Sequence, residues 1–316
     1  MDTVMGWKFG GVNTLKSSPH LNRNISFTDD AEDSDIIVSQ RIDTLKDFLA
    51  QYRNSKKFMI WTVEPLREKT KVPIVNVKGV DIHIMNAYSG DVWMQNYAIL
   101  DPKVDINASK IFVESSNFSR PKGRRIAALL SYKSNTGNTT NMEHGVDLDL
   151  QQLRFDIALE GYRQQKVDVY GQNWPNGISL EDSRKGNWRK RKIEILGNYS
   201  FNLCLENTNI DYYCTEKIWD SITSGCLPIY FGKGNKIYED FPPNSFLDCA
   251  NFKTPDDIFS YVDRMSFAEF ETRLGNCIDV FEDLKLKKYE NSHLKMRVEK
   301  FNRKIEHIME IDTDLV

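Results

Sequence analysis

Short apolar runs set off by polar text give the first third of the chain its rhythm. "DIIVSQ", "KFMIWTVE" and "VDIHIMNAY" are each long enough for one strand, and "RIDTLKDFLAQY", between the first two, has helical spacing. That alternation predicts a Rossmann-like α/β layer. From about Ser115 the text turns polar and basic, "SSNFSRPKGRR", before a second series opens with "RIAALLSY". A linker rich in Pro, Gly and charge marks a domain boundary, which divides the chain into 1–121 and 122–316.

The second series runs through "RIAALLSY", an amphipathic stretch from Leu148 to Tyr162, "KVDVYG", "YSFNLCLEN", a helix from about Thr215 to Ser224, and "CLPIYFG". Strands that alternate with helices form a parallel sheet buried on both faces, and its ligands sit beyond the carboxyl ends of the strands. From Pro255 the pattern is helical. In the last helix, "NSHLKMRVEKFNRKIEHIMEI", Leu294, Val298, Phe301, Ile305 and Ile308 share one face. Packing on the body of the protein, with the terminal helices counted in the second domain, is expected over a membrane-surface role, because the helix's charges are mixed.

Polar groups crowd the end of "YSFNLCLEN", where Glu206 and Asn207 are presented, and Glu216 and Lys217 open the following helix. Thr215 is placed to cap that helix, and Glu216 suits the positive end of its dipole. Lys217 in the first turn opposes the dipole unless an anion lies nearby. A bound phosphate would meet both the ammonium and the free N–H groups; a lysine reaching out to solvent is the plainer alternative.

Composition narrows the partners. At 316 residues, net charge -3, pI near 6.0 and mean hydropathy -0.51, the chain has neither a nucleic-acid nor a membrane signature. It contains no apolar run of membrane-spanning length and opens without a signal-peptide pattern, so a cytoplasmic protein is expected, with peripheral membrane contact as a variant. Cys204, Cys214, Cys226, Cys249 and Cys277 lack metal-ligand spacing and read as reduced, buried thiols. The sequons at Asn24, Asn107, Asn117, Asn138 and Asn198 read as chance in an Asn-rich chain. The basic clusters 122–125 and 184–192 read as solvated loops rather than nucleic-acid contacts. "FGKGNK" lacks phosphate-loop spacing and reads as a turn.

The whole string "FNLCLENTNIDYYCTEKIWDSITSGCLPIYFG", continued by "YEDFPPNSFLDCANFKTPDDI", closely resembles the donor-binding motif of the α-1,3/1,4-fucosyltransferase family, of glycosyltransferase family 10. The resemblance implies a GT-B fold, two Rossmann-like domains facing across a cleft, with an acceptor-binding first domain and a second that takes GDP-fucose. It places Lys217 on the pyrophosphate, Glu216 on the ribose or fucosyl ring, and Tyr213 and Asn207 along the nucleotide pocket. "SYKSN", "LRFDIALEGY" and "VDVYGQ" are similar to a family segment in which an arginine opens a helix before a Val-Asp-x-Tyr-Gly strand, which makes Arg154 a second phosphate ligand. An insertion-like stretch lies between Asn135 and Arg154, so Arg163 and Lys133 stand as alternatives. In the first domain "FMIWTVEP" is similar to the family strand ending in an essential acid, here Glu64; a solvated loop carboxylate is the plainer reading of that residue.

An inverting transfer follows from the resemblance. Glu64 would take the proton of an acceptor hydroxyl, while Arg154, Lys217 and the helix terminus stabilise charge on the departing GDP. The implied product is an α-linked fucose on an oligosaccharide or glycoconjugate, α-1,3 on N-acetylglucosamine or glucose. A transferase of another GDP-sugar and a non-catalytic glycan- or nucleotide-binding module are the alternatives. No metal is expected: "DLD" at 147–149 and "DTD" at 312–314 follow no donor-domain strand and read as solvated carboxylates. Tyr88, Trp93 and Tyr97 suit either acceptor stacking or core packing.

Overall fold

The computed structural model describes residues 3–7, 15, 18–98, 112–133, 141–143, 146–182, 186–290 and 293–310. By internal contact the chain forms two units, Met1–Gln95 with Glu290–Val316, and Asn96–Tyr289.

The first unit is built on β1 (Thr3–Trp7), β2 (Ile25–Thr28), β3 (Ile36–Ser39), β4 (Lys57–Trp61), β5 (Ile74–Val77) and β6 (Val80–Met85), with helix α1 (Lys46–Tyr52) between β3 and β4. Its sheet has the order β2-β1-β3-β4-β6-β5, parallel except for the β5–β6 hairpin. Phe58, Ile60, Ile82 and Ile84 alternate onto one face against Leu45, Leu49 and Tyr52 of the α1 side.

The second unit holds α2 (Ser115–Phe118), β7 (Ile126–Leu129), the ribbon β8 (Met142–Glu143) and β9 (Val146–Asp147), α3 (Gln151–Arg163), β10 (Val167–Tyr170), α4 (Trp188–Leu196), β11 (Phe201–Leu203), α5 (Glu216–Thr223), β12 (Leu227–Tyr230), β13 (Leu247–Asp248), α6 (Pro255–Arg264) and α7 (Phe267–Glu290). Its five strands run β10-β7-β11-β12-β13, all parallel, and the residues of β10, β11 and β12 are buried throughout. Burial on both faces explains why these strands are continuous apolar runs rather than alternating ones. The start of α6 is written locally: Thr254 and Asp257 form a capping box around Pro255. Two Rossmann-like α/β units are thus observed, the composition that GT-B implies.

The division differs from the expected one at 121/122. Asn96 already belongs to the second unit, where its amide donates to Lys236 O and Asp240 Oδ2, both at 2.8 Å. The last helix, α8 (His293–Glu310), packs on the first unit. Val298, Phe301, Ile305 and Ile308 are buried, Phe301 stacks on Phe27, Lys300 pairs with Asp91 at 3.0 Å, and Asn302 bonds Asn22 and His20. Among the described residues no helix is long and apolar enough to cross a membrane.

Candidate functional site

Strand order in the second sheet reverses between β7 and β11, so the loops leaving their carboxyl ends, 130–133 and 204–215, diverge there. Open α/β sheets hold ligands in that crevice. Beyond β11 the chain stays buried through Cys204, Leu205 and Glu206. A buried carboxylate needs charge-assisted partners, and Glu206, 2% exposed, accepts from the Thr215 N–H at 2.8 Å, the Thr215 hydroxyl at 2.7 Å and Lys217 Nζ at 2.6 Å. Lys217 also donates to Thr215 Oγ1 at 2.7 Å. The return of the chain onto Glu206 turns on Tyr212, a non-glycine residue at φ +59°, whose hydroxyl is tied to Glu239 at 2.8 Å.

This arrangement changes two expectations. Thr215 is the N-cap residue of α5, but its side chain makes no capping bond because the hydroxyl serves Glu206 and Lys217. Within the protein the anion that reconciles Lys217 with the helix dipole is Glu206. Burial pulls the Lys217 ammonium down, but the Glu206 and Glu216 carboxylates outweigh it and hold the group above the ordinary lysine range. Burial likewise pushes Glu216 up, and Lys217, Lys192 and the residue's own backbone N–H hold it below the carboxylate range.

Arg154 reaches the same place through backbone pairing. Asn209 N–H bonds Leu148 O at 2.7 Å, Leu150 N–H bonds Asn207 O at 3.0 Å, and Asp149 bridges Thr208 antiparallel. The first turn of α3, with buried Arg154, is thereby fixed against the loop after β11. Its positive charge opposes that of Lys217. Arg163 lies at the far end of α3, exposed and paired with Glu160 at 3.0 Å, and Lys133 is exposed in the loop after β7. Of Arg154, Arg163 and Lys133, Arg154 is the one on the turn tied to the loop after β11. Tyr213 is buried in the 204–215 loop. On these loops and at the start of α3 the buried atoms Ser131 Oγ, Asn207 Oδ1, Thr208 Oγ1 and Gln151 Oε1 have no hydrogen-bond partner in the protein. Such atoms cost about 1–3 kcal/mol each when left unpaired.

Sequence reasoning missed Lys192. Of the stretch 184–192, expected as a solvated loop, residues 188–192 belong to the helix α4, because Ile195 and Leu196 are buried beneath its charges. Lys192 turns inward to Asp220 of α5 at 2.5 Å, and Arg191 is bound by Glu181 and Glu194. In the other basic cluster Arg124 donates to Val262 O and Met265 O, while Arg125 and Lys122 flank buried Asp168. These are ties within the fold rather than a solvated patch. Of the paired-Asp motifs, Asp147 accepts from the N–H groups of Asn141 and Asp149, and Asp149 from that of Gln151 at the start of α3; 312–314 lie outside the described residues. Among the described residues no group of three or more His, Cys, Asp or Glu is placed to hold a metal ion. All five cysteines are buried and free.

Glu64 belongs to the first unit, three residues past the end of β4. Its side chain is exposed, yet its backbone is pinned: Trp93 Nε1 donates to Val63 O at 3.0 Å, Tyr88 hydroxyl to Pro65 O at 2.7 Å, and Glu64 N–H to Thr62 Oγ1 at 3.1 Å. Trp93 and Tyr97 are buried, so the packing reading of those aromatics holds, with the addition that Trp93 and Tyr88 fix the turn bearing Glu64.

Residues 146–271 match the family model described as glycosyltransferase family 10 (fucosyltransferase), C-terminal. An α-(1,3)-fucosyltransferase of Helicobacter pylori is 44% identical over 73 residues, 23% of this chain and 15% of that protein. An α-(1,4)-fucosyltransferase of Arabidopsis thaliana is 35% identical over 85 residues, covering 27% and 21%, and a GDP-fucose protein O-fucosyltransferase 3 of Xenopus laevis is 37% identical over 125, covering 38% and 24%. The alignments thus span about a quarter or less of these relatives' lengths. A crystal structure of an α1,3-fucosyltransferase aligns over 93% of this chain and 91% of its own at 17% identity, TM-score 0.49.

Proposed function

With residues 146–271 a glycosyltransferase family 10 (fucosyltransferase) C-terminal segment, we propose that this chain transfers L-fucose from GDP-fucose to a glycan hydroxyl, α-1,3 on N-acetylglucosamine or glucose, with inversion. The observation that carries the reading is the set of buried Glu206 and Thr215 with half-buried Lys217 at the reversal of strand order, with the first turn of α3 and Arg154 docked on the same loop.

Lys217 and Arg154 bind the diphosphate and stabilise the charge that grows on GDP as the fucosyl C1–O bond breaks. Glu216, at the start of α5, takes a hydroxyl of the ribose or fucosyl ring, and Asn207 and Tyr213 line the nucleotide pocket. Glu64 removes the acceptor proton as its oxygen attacks C1 from the face opposite GDP, so a β-linked donor gives an α-linked product. Fixed protein cations do the work a divalent metal does in other transferases, and the reaction needs none.

Incubation with GDP-fucose, GDP-mannose and UDP-sugars against a panel of glycan acceptors, followed by linkage analysis, tests this. Fucosylated product with GDP-fucose alone is expected. Turnover only with another GDP-sugar would replace the donor, and no turnover by folded protein would favour a binding module. The protein O-fucosyltransferase among the relatives supports a second acceptor class, a protein hydroxyl, so the panel includes folded protein domains.

A further inference from the structure

We propose that Glu206 is a positioning residue: it holds the Lys217 ammonium in place as an anion ligand without touching the ligand itself. This rests on the reading of the site as one for a diphosphate. Glu206 is 2% exposed and its two carboxylate oxygens are engaged, Oε1 by both donors of Thr215 and Oε2 by Lys217. It is therefore shielded from a ligand in the crevice, where a second carboxylate would repel phosphate.

What it supplies is aim and charge. A lysine in the first turn of a helix is repelled by the dipole and is free to extend into water. Here Glu206 draws it back, and Thr215 Oγ1, which donates to Glu206 and accepts from Lys217, closes a three-membered set. An ammonium has three donors, and these two contacts leave one for an anion. The carboxylate also keeps the ammonium charged, since Glu206 is the chief influence opposing the effect of burial on Lys217.

The test is a double-mutant cycle on nucleotide binding, with Glu206→Gln and Lys217→Met singly and together, by calorimetry with GDP and guanosine. Glu206→Gln keeps the shape and one acceptor. Expected is roughly a tenfold loss of GDP affinity, under about twofold loss for guanosine, and under about twofold further loss in the Lys217→Met background. Equal losses for both ligands, or additive losses in the cycle, would overturn the proposal. Because a buried glutamate variant can fail to fold, Thr215→Val gives a second arm. It removes the shared hydroxyl at nearly constant shape and should weaken GDP about threefold while leaving guanosine unchanged; no change for GDP counts against the proposal.

An NMR titration of the lysine side chains needs no ligand and separates this inference from the function it rests on. Lys217 should deprotonate at lower pH in Glu206→Gln than in the wild type, and superimposable titrations overturn the positioning role even if GDP binds. Failure of the wild type to bind GDP while the titrations differ would instead sink the proposed function.

Discussion

The two units present their carboxylates in opposite ways. Glu206 in the second is buried and held by the backbone N–H and hydroxyl of Thr215 and by Lys217, whereas Glu64 in the first is exposed on a turn whose backbone is pinned. A buried carboxylate with both oxygens engaged inside the protein can orient another group but does not face a substrate. An exposed carboxylate on a pinned backbone is available to take a proton and does little for stability. The contrast separates placing a ligand from acting on one, and it assigns a different measurable loss to each unit.

The largest expected effect tests the exposed member. Glu64→Gln should lower the transfer rate by about 10²–10⁴-fold, the usual contribution of a general base, with GDP affinity within about twofold and stability within about 0.5 kcal/mol. Initial rates, calorimetry and thermal melts read the three quantities. A lost nucleotide affinity with an unchanged rate constant would reverse the roles given to the two units.

Lys217→Ala tests the buried member and is expected to act on binding. Removal of one charge-assisted bond is worth about 1.5–3 kcal/mol, or roughly 10- to 150-fold in GDP affinity, with guanosine little changed. It also leaves Glu206 buried without its counter-ion, so the melting temperature should fall, unlike that of Glu64→Gln. The sign of the pH dependence follows from the raised Lys217 and the lowered Glu216. Lysine's contribution is complete below its unfolded value of about 10.4 and is lost as pH rises through the folded one. That of Glu216 is complete above about 4.3 and is lost as pH falls through the folded one. Between those limits the contributions of Lys217 and Glu216 are flat.

A smaller effect tests whether packing sets the site. A Cβ on Gly161 of α3 would lie 2.1 Å from Val167 Cγ2 and 2.9 Å from Phe259 Cζ. Gly161→Ala should cost about 3 kcal/mol and, by lifting the helix that carries Arg154, weaken GDP as well. A melting temperature and an affinity equal to wild type would mean that Arg154 is not placed by this contact.

How much was legible in the sequence follows from how far apart the contacting residues lie. The Lys217–Glu206 contact spans 11 residues, so strand end, turn and helix start stand in one readable string, and the conflict of Lys217 with its dipole signalled an anion. Which anion was not legible, because a buried glutamate and a bound phosphate satisfy the same lysine. The home of α8 was hidden for the opposite reason: its contacts to Asn22 and His20 span 280 and 282 residues, and the apolar stripe says only that some surface covers it. β1, "TVMGW", pairs with β2 and β3 inside the first sheet, and its five residues are too short a run to stand out as a strand from the sequence. Helix α4 was masked by its basic residues, whose partners Glu181 and Asp220 lie on other elements.

The smallest expected effect marks the first unit alone. His83 on β6 is 6% exposed with Nδ1 unbonded, and burial first, then the charges of Lys304 and His307 on α8, hold its pKa down to about 4; Lys57 acts the same way and Asp81 opposes. Between about 6.5, the unfolded value, and about 4 the unfolded chain binds a proton that the folded one does not, so stability rises with pH across that window. Acidification should therefore cost the first unit about 2 kcal/mol over this range, where the raised Lys217 contributes no slope. His83→Gln removes the titrating ring while keeping a polar side chain. Its denaturation midpoint should change less than that of the wild type between pH 7.5 and 4.5, and parallel curves would remove His83 as the source of acid sensitivity in that unit.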